Sequence, residues 1–339
     1  MKKPTLSFSL PAIVFAFLCP LAAGAQKTST YHVAKTFHIA SSGGWDYIVS
    51  GPGNNRLYVS HGTQVNILDE TTGDSLGVIP NTTGVHGIAF APALGKGYTS
   101  NGRLNNVTVF DLKSNQVLGQ IAAGTNPDAI MYEPFSKTII TCNGRSNDLS
   151  VIDPVAEKII ATIPVGGKPE TAVSDGTGKV FVNIEDKNEI VCINIQTKTV
   201  ETHWPIAPAE GPTGLAIDTK TKRLFAGCDK VLVVMDYSTG KVIDRVAIGD
   251  GCDGVGFDNG LKNIFASCGE GKLTVIHEDN ADKFSVTANV PTKKSARTIA
   301  VNESTHTIYL PAADFGAAVQ GERRPPMVPG SFQVLVVNP

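Results

Sequence analysis

Leu57–Asp69 reads LYVSHGTQVNILD, Tyr98–Asp111 reads YTSNGRLNNVTVFD and Ile140–Asp153 reads ITCNGRSNDLSVID. Each stretch is an apolar strand ending on a polar residue, then a short turn, then an alternating strand that closes on Asp. Working outward, the same unit recurs along the chain. It opens at Trp45, His86, Pro127, Pro169, Pro212, Cys252 and Ala296, at spacings of 40 to 44 residues. The second strands read RLYVSH, KGYTSN, TIITCN, KVFVNI, RLFAGC, NIFASC and TIYLPA. The third strands read VNILD, VTVFD, LSVID, IVCIN, LVVMD, LTVIH and FQVLV. A turn such as Ser238–Lys241 (STGK) leads into a fourth strand.

Four short strands per unit, with turn signals between them and no helical period, give one antiparallel sheet per repeat. Such a sheet cannot bury both faces alone, and radial packing against its neighbours solves this. The expected fold is all-β: a seven-bladed β-propeller forming a single domain over residues 26–339. Asp69, Asp111, Asp153 and Asp236 at the third-strand ends are expected to start Asx-type turns. The seventh unit reaches Pro339 directly after its third strand, so its fourth is missing. Tyr31–Ile39 (YHVAKTFHI) is expected to supply it as an outer strand that closes the ring and removes an open edge.

The N-terminus reads as a cleavable export signal over residues 1–25. Lys2 and Lys3 precede an uncharged apolar stretch, Leu6–Ala23, and Ala23-Gly24-Ala25 forms an A-x-A site. A periplasmic or extracellular location follows. Cys19 leaves with that segment. No later segment has the length of a membrane span, so a soluble chain is expected. The whole sequence carries 29 Lys+Arg and 31 Asp+Glu, net −2; without Lys2 and Lys3 the balance is 27 against 31. An acidic chain without a basic run is a poor binder of phosphate backbones, so no nucleic-acid partner is expected.

The strand ends and the Asp-terminated third strands resemble the YVTN-repeat, YncE-like β-propeller family, whose unit carries a Y-V-T-N strand end, a short loop, V-S-V-I-D and a G-x-x-P step. The resemblance covers Trp45 to Pro339 and weakens in the last two units, where His277 and Val336 replace the Asp. It implies a fold and says little about activity, because the repeat's residues are structural.

In a propeller, ligands usually meet the mouth of the central channel. The second residue of each unit is expected to point there, giving Asp46, Gly87, Asp128, Glu170, Thr213, Asp253 and Arg297, with His86 beside Gly87. The second-strand ends His61, Asn101 and Asn143 are expected nearby. Asp128, Glu170 and Asp253 form a candidate set for a hard cation such as Ca²⁺; the alternative is a solvated channel lining. Arg297 can instead pair with one of these acids. The tripeptides Asn101-Gly102-Arg103 and Asn143-Gly144-Arg145 read as exposed turns.

The mature chain keeps Cys142, Cys192, Cys228, Cys252 and Cys268, an odd number for an oxidising compartment. Cys252 and Cys268 begin the first strand and end the second strand of one blade, which places them as neighbours and as candidates for a disulfide. Cys228 is the competing partner, and Cys192 is expected in the core. The seventh unit also carries a long insertion, AADFGAAVQGERRPPMVPGS, between its second and third strands. Residues 312–330 could serve there as a lid or a docking element, or merely as a flexible loop.

No catalytic motif is present: there is no G-x-S-x-G, H-E-x-x-H, C-x-x-C-H or Gly-rich phosphate loop. The leading expectation is a non-enzymatic scaffold of the cell envelope, monomeric, binding a small ligand or a protein through its channel face. The first alternative resembles the propeller lactonases. It is a metal-dependent hydrolase whose ion is held by Glu170, Asp128, Asp46 or Asp253 and Asn143. The second, implied by the resemblance, is an accessory role beside a periplasmic quinone or haem oxidoreductase; no ligand residue supports it.

Overall fold

The computed structural model describes Met1 and residues 31–318, 321 and 325–339. The expected export signal therefore lies, apart from Met1, outside the described residues, as do Arg323 and Arg324 of the insertion. Among the described residues no helix is long and apolar enough to cross a membrane.

Seven four-stranded antiparallel sheets form the ring. Second and third strands match the sequence reading closely. In blade 1 they run Arg56–His61 and Gln64–Asp69, and in blade 3 Thr138–Asn143 and Asp148–Asp153. Both lie between neighbouring blades, so their two faces are buried: Leu57, Tyr58 and Val59 are all inaccessible to solvent. This is why these strands read as near-continuous apolar runs, whereas fourth strands such as Lys158–Pro164 are largely exposed. The core is a succession of inter-blade layers. One joins Ile140, Leu149 and Val151 of blade 3 to Val180, Val182 and Val191 of blade 4.

The turn from third to fourth strand works as expected. Asp69 Oδ1 accepts the Thr71 and Thr72 amides at 2.8 and 2.9 Å. Asp111 Oδ1 accepts those of Lys113 and Ser114, and Asp153 Oδ1 those of Val155 and Ala156. These donors hold the three carboxyls below the usual carboxylate range. Gly73 ends the blade 1 turn at φ +79°, and a Cβ there would lie 2.2 Å from the Phe37 ring. Glycine is therefore required twice over, by backbone conformation and by space.

Ring closure is as read from the sequence. His32–His38 pairs antiparallel with Gln333–Asn338 and completes the blade built from Ala300–Asn302, Thr307–Ala312 and Gln333–Asn338. Tyr31, Phe37 and Ile39 are buried at this seam. Tyr31 packs edge-on against Phe265 at 5.2 Å, and Asn263 Nδ2 donates to its hydroxyl at 3.1 Å.

Three expected blade openings shift. The first strands of blades 5 and 7 begin at Leu215 and Ala300 rather than at 212 and 296. Thr213 and Arg297 therefore stand in irregular backbone before their strands. Blade 2 opens one residue early, at Val85.

Candidate functional site

The charged residues at the channel mouth share one local cause. In five blades the first residue of the inner strand faces the last residue of the second strand: Trp45 and His61, Val85 and Asn101, Pro127 and Asn143, Pro169 and Ile184, Cys252 and Cys268. The register then slips before pairing resumes. Asp46, His86, Asp128, Glu170 and Asp253 are the residues that follow the first pair in each case. A bulge leaves its extra residue out of the ladder and re-aims its side chain. Because blade 2 opens at Val85, its ring position is His86 and not Gly87. Gly87 instead lets the next inner strand approach, since a Cβ there would sit 2.8 Å from Ile130 Cγ2.

The bulges of blades 1, 2 and 3 converge. His86 Nδ1 lies 2.6 Å from Asp46 Oδ2 and 3.6 Å from Asp128 Oδ1. A carboxylate only accepts, so the imidazole donates from Nδ1 to Asp46. One ligand atom from each of the three side chains falls within 4.8 Å of the others. Burial alone would lower the imidazole pKa, but the Asp46 hydrogen bond and the nearby Asp128 carboxylate outweigh it and raise the value. Burial, reinforced by Asp46, pushes Asp128 up to about 6.

Two cations flank this centre. Arg297 pairs closely with Asp253 and reaches Asp46 Oδ1 at 3.5 Å, leaving Oδ2 of Asp46 to His86. Lys168 is held between Glu170 and Glu185. Even so, burial and Asp128 push Glu170 up to about 8, outweighing the Lys168 contact. Of the three acids expected to share a cation, Asp128 thus joins Asp46 and His86, Asp253 is tied to Arg297, and Glu170 to Lys168.

The second-strand ends do not line the mouth. His61 is buried, donates from Nε2 to the Gly43 carbonyl at 2.8 Å, has Nδ1 2.7 Å from Ser41 Oγ, and stacks on Phe332. Asn101 Nδ2 donates to Asn106 and Thr108, both at 2.8 Å. Asn143 Nδ2 donates to Asp148 and Ser150 at 2.7 and 2.9 Å. These amides and this imidazole lock their own blades, and their polar atoms are already engaged. The sequence reading also missed Tyr47, which shares the blade 1 bulge with Asp46. Its hydroxyl is pushed well above the ordinary phenol value by burial and by the acids Asp128, Glu170 and Asp46.

The backbone carrying the cluster is cross-braced. Ser60 Oγ accepts the Asp46 amide at 3.0 Å, and Thr298 Oγ1 donates to the Asp46 carbonyl at 2.6 Å. Ser100 Oγ accepts the Gly87 amide at 2.8 Å and donates to the Asp128 carbonyl. The insertion of blade 7 folds back beside this end of the ring: Gly316 and Pro326 share a backbone hydrogen bond of 2.8 Å, and Phe315 packs 6.0 Å from Trp45.

The expected bridge is not formed: all five cysteines, Cys252 and Cys268 included, are free and buried. Their placement is as anticipated, since the two are direct partners across the strand pair. They meet as two thiols sharing a hydrogen bond. That bond and burial raise Cys252, and the same bond lowers Cys268. Cys192 is in the core, as expected.

Compared with protein-family models and with curated proteins, the chain matches none. Among solved structures it is similar to hydrazine synthase of Kuenenia stuttgartiensis, with a TM-score of 0.71, 16% sequence identity, and coverage of 80% of this chain and 94% of that chain. At that identity the likeness speaks for the fold alone. The resemblance to the YVTN-repeat family therefore rests on the repeat residues, and the chain is shown to be a seven-bladed β-propeller whose inner-strand bulges gather acids and one histidine at the channel mouth.

Proposed function

We propose that the chain is an exported, non-enzymatic binding scaffold that takes a cationic ligand, or a cationic group of a partner protein, at its channel mouth. The observation that carries this reading is the charge balance. Among the described residues, Asp46, Asp128, Glu170, Glu185 and Asp253 pair there with Lys168, Arg297 and His86. A recessed group of like charges on a braced frame favours a positive guest. Export is supported by the Lys2-Lys3, apolar, Ala-Gly-Ala pattern of the N-terminus.

A thermal-shift and calorimetry panel on the mature chain tests the reading, using spermine, Mg²⁺, Ca²⁺ and Zn²⁺. At least one of these cations raises Tm, and the doubly neutralised Asp128→Asn, Glu170→Gln variant loses the rise. A ligand at a hundred times its Kd adds about 2.7 kcal/mol of stability, a readily measured shift. No binding by any of the four sinks the reading.

A metal-dependent hydrolase is the second reading, and the His86-centred cluster is the observation in its favour. Asn143, one of the expected ligands, is already engaged elsewhere.

A further inference from the structure

We propose that Asp46, His86 and Asp128 form a binding site for one divalent transition-metal ion of the zinc class, with His86 Nδ1 and one oxygen of each carboxylate as ligands. This deepens the cation-binding reading above and rests on it.

The geometry is close to what such an ion needs. Bonds of about 2.0–2.2 Å to nitrogen and oxygen put neighbouring ligand atoms of a tetrahedral ion about 3.4 Å apart. The separation of 3.6 Å between His86 Nδ1 and Asp128 Oδ1 already matches. The 2.6 Å between His86 Nδ1 and Asp46 Oδ2 is a hydrogen-bond distance, so the pair must open by less than 1 Å when the ion replaces the Nδ1 proton. That proton leaves to solvent, and two carboxylates with a neutral imidazole then balance the charge of a divalent ion.

The ligand chemistry selects the metal. Calcium takes six to eight oxygens and no imidazole nitrogen, whereas a nitrogen with two carboxylate oxygens suits zinc and its neighbours. With His86 28% exposed, water can fill the remaining position. A histidine beside an acid is not by itself a site. His306 Nδ1 lies 2.6 Å from Asp258 Oδ2 in blades 6 and 7, and no third ligand joins them among the described residues. Asp128 is what distinguishes the channel mouth.

The frame supports three fixed ligands. Ser60, Ser100 and Thr298 tie down the backbone of Asp46, Gly87 and Asp128. Behind the ring, Gly102 makes room for His86, since a Cβ there would come 2.7 Å from Nε2 and 2.9 Å from Asn126 Oδ1. Gly102→Ala therefore displaces the imidazole while leaving all three ligand residues in the sequence.

The test is calorimetry of the chelator-treated mature chain with ZnCl₂, followed by visible spectroscopy with Co²⁺. The expected result is one Zn²⁺ per chain and Co²⁺ d–d bands without thiolate charge transfer. His86→Ala and the isosteric Asp128→Asn each weaken zinc at least 100-fold, and Gly102→Ala weakens it about tenfold. His203→Ala, at a remote histidine–glutamate pair, leaves it unchanged. Absence of zinc binding, a thiolate spectrum, or undiminished binding in both His86→Ala and Asp128→Asn overturns the proposal. If zinc fails while spermine or Ca²⁺ still binds and depends on Asp128 and Glu170, the scaffold reading survives and the metal site does not. If no cation binds, both fall.

Discussion

Tyr47 of blade 1 and Thr171 of blade 4 meet across the channel, Oη to Oγ1 3.4 Å apart. Both stand in bulged inner strands, one residue beyond Asp46 and Glu170. Two blades lie between them one way round the ring and three the other, so the contact is made by side chains projecting inward. The Tyr47 ring therefore reaches inward beneath the acids of the mouth, within the field of Asp46, Asp128 and Glu170.

Removing the Tyr47 ring should be costly, while trimming its hydroxyl should not. Tyr47→Ala is expected to cost about 3 kcal/mol through the lost packing. Tyr47→Phe should cost about 1 kcal/mol or less, since the hydroxyl contact is long. Urea midpoints of the two variants decide this. Equal losses would mean that the hydroxyl, and not the ring, holds the channel together.

Stability should fall between mildly acid and mildly alkaline pH. Glu170 is pushed up to about 8 by burial and by Asp128, against an ordinary value near 4.3 in the unfolded chain. The folded state thus holds this proton more tightly, so stability declines as pH rises through that window and levels off above about 8. The turn acids Asp69, Asp111 and Asp153 act oppositely. Their carboxyls are held low, and their contribution is lost as pH falls through those lowered values. Urea midpoints of metal-free protein should decline between about pH 5 and pH 8, and Glu170→Gln should flatten that slope. An unchanged slope would assign it to other groups.

The closing strand should be indispensable. Deleting residues 26–40 uncovers the edge of Gln333–Asn338 and removes the buried Tyr31, Phe37 and Ile39. Aggregation or a large drop in Tm is expected. Phe37→Ala alone should cost about 3–5 kcal/mol. A truncated chain as stable as the mature one would refute closure by this strand.

Thiol chemistry should be confined to one pair. Denatured, reduced protein should titrate five thiols in the mature chain. Mild oxidation of folded protein should leave three, with Cys252 and Cys268 recovered in one linked peptide, because they face each other across their strand pair. Closing that loop of about 16 residues is worth roughly 3 kcal/mol in the chain-entropy model. A link from Cys252 to Cys228 instead would show that the blades, not the strand pair, set the partner.

The architecture was legible because its determinants are periodic. Second and third strands, buried on both faces, announce themselves by apolar runs, and the Asp turns by their spacing, so Arg56–His61 and Gln64–Asp69 fall where expected. The mouth was legible only in part. Asp46, Asp128, Glu170 and Asp253 do sit at equivalent positions, but a bulge has no residue signature, and counting repeats could not decide whether His86 or Gly87 stood in it. Which acids meet one another was hidden too. It depends on Arg297 and Lys168, whose long side chains take up Asp253 and Glu170. The partners of His61, Asn101 and Asn143 were hidden as well, because a polar strand end reads alike whether it points at a ligand or braces its own blade.

The strand pair His32–His38 with Gln333–Asn338 also sets a schedule. Six sheets are assembled from hairpins close in sequence, and each can form as soon as its own residues are available. The seventh needs partners from opposite ends of the chain, the longest loop to close and the slowest kind of contact to find. Until it does, the ring has two raw flanks and no final shape. Synthesis can therefore run nearly to completion, with six blades already in place, while the ring as a whole remains unlocked.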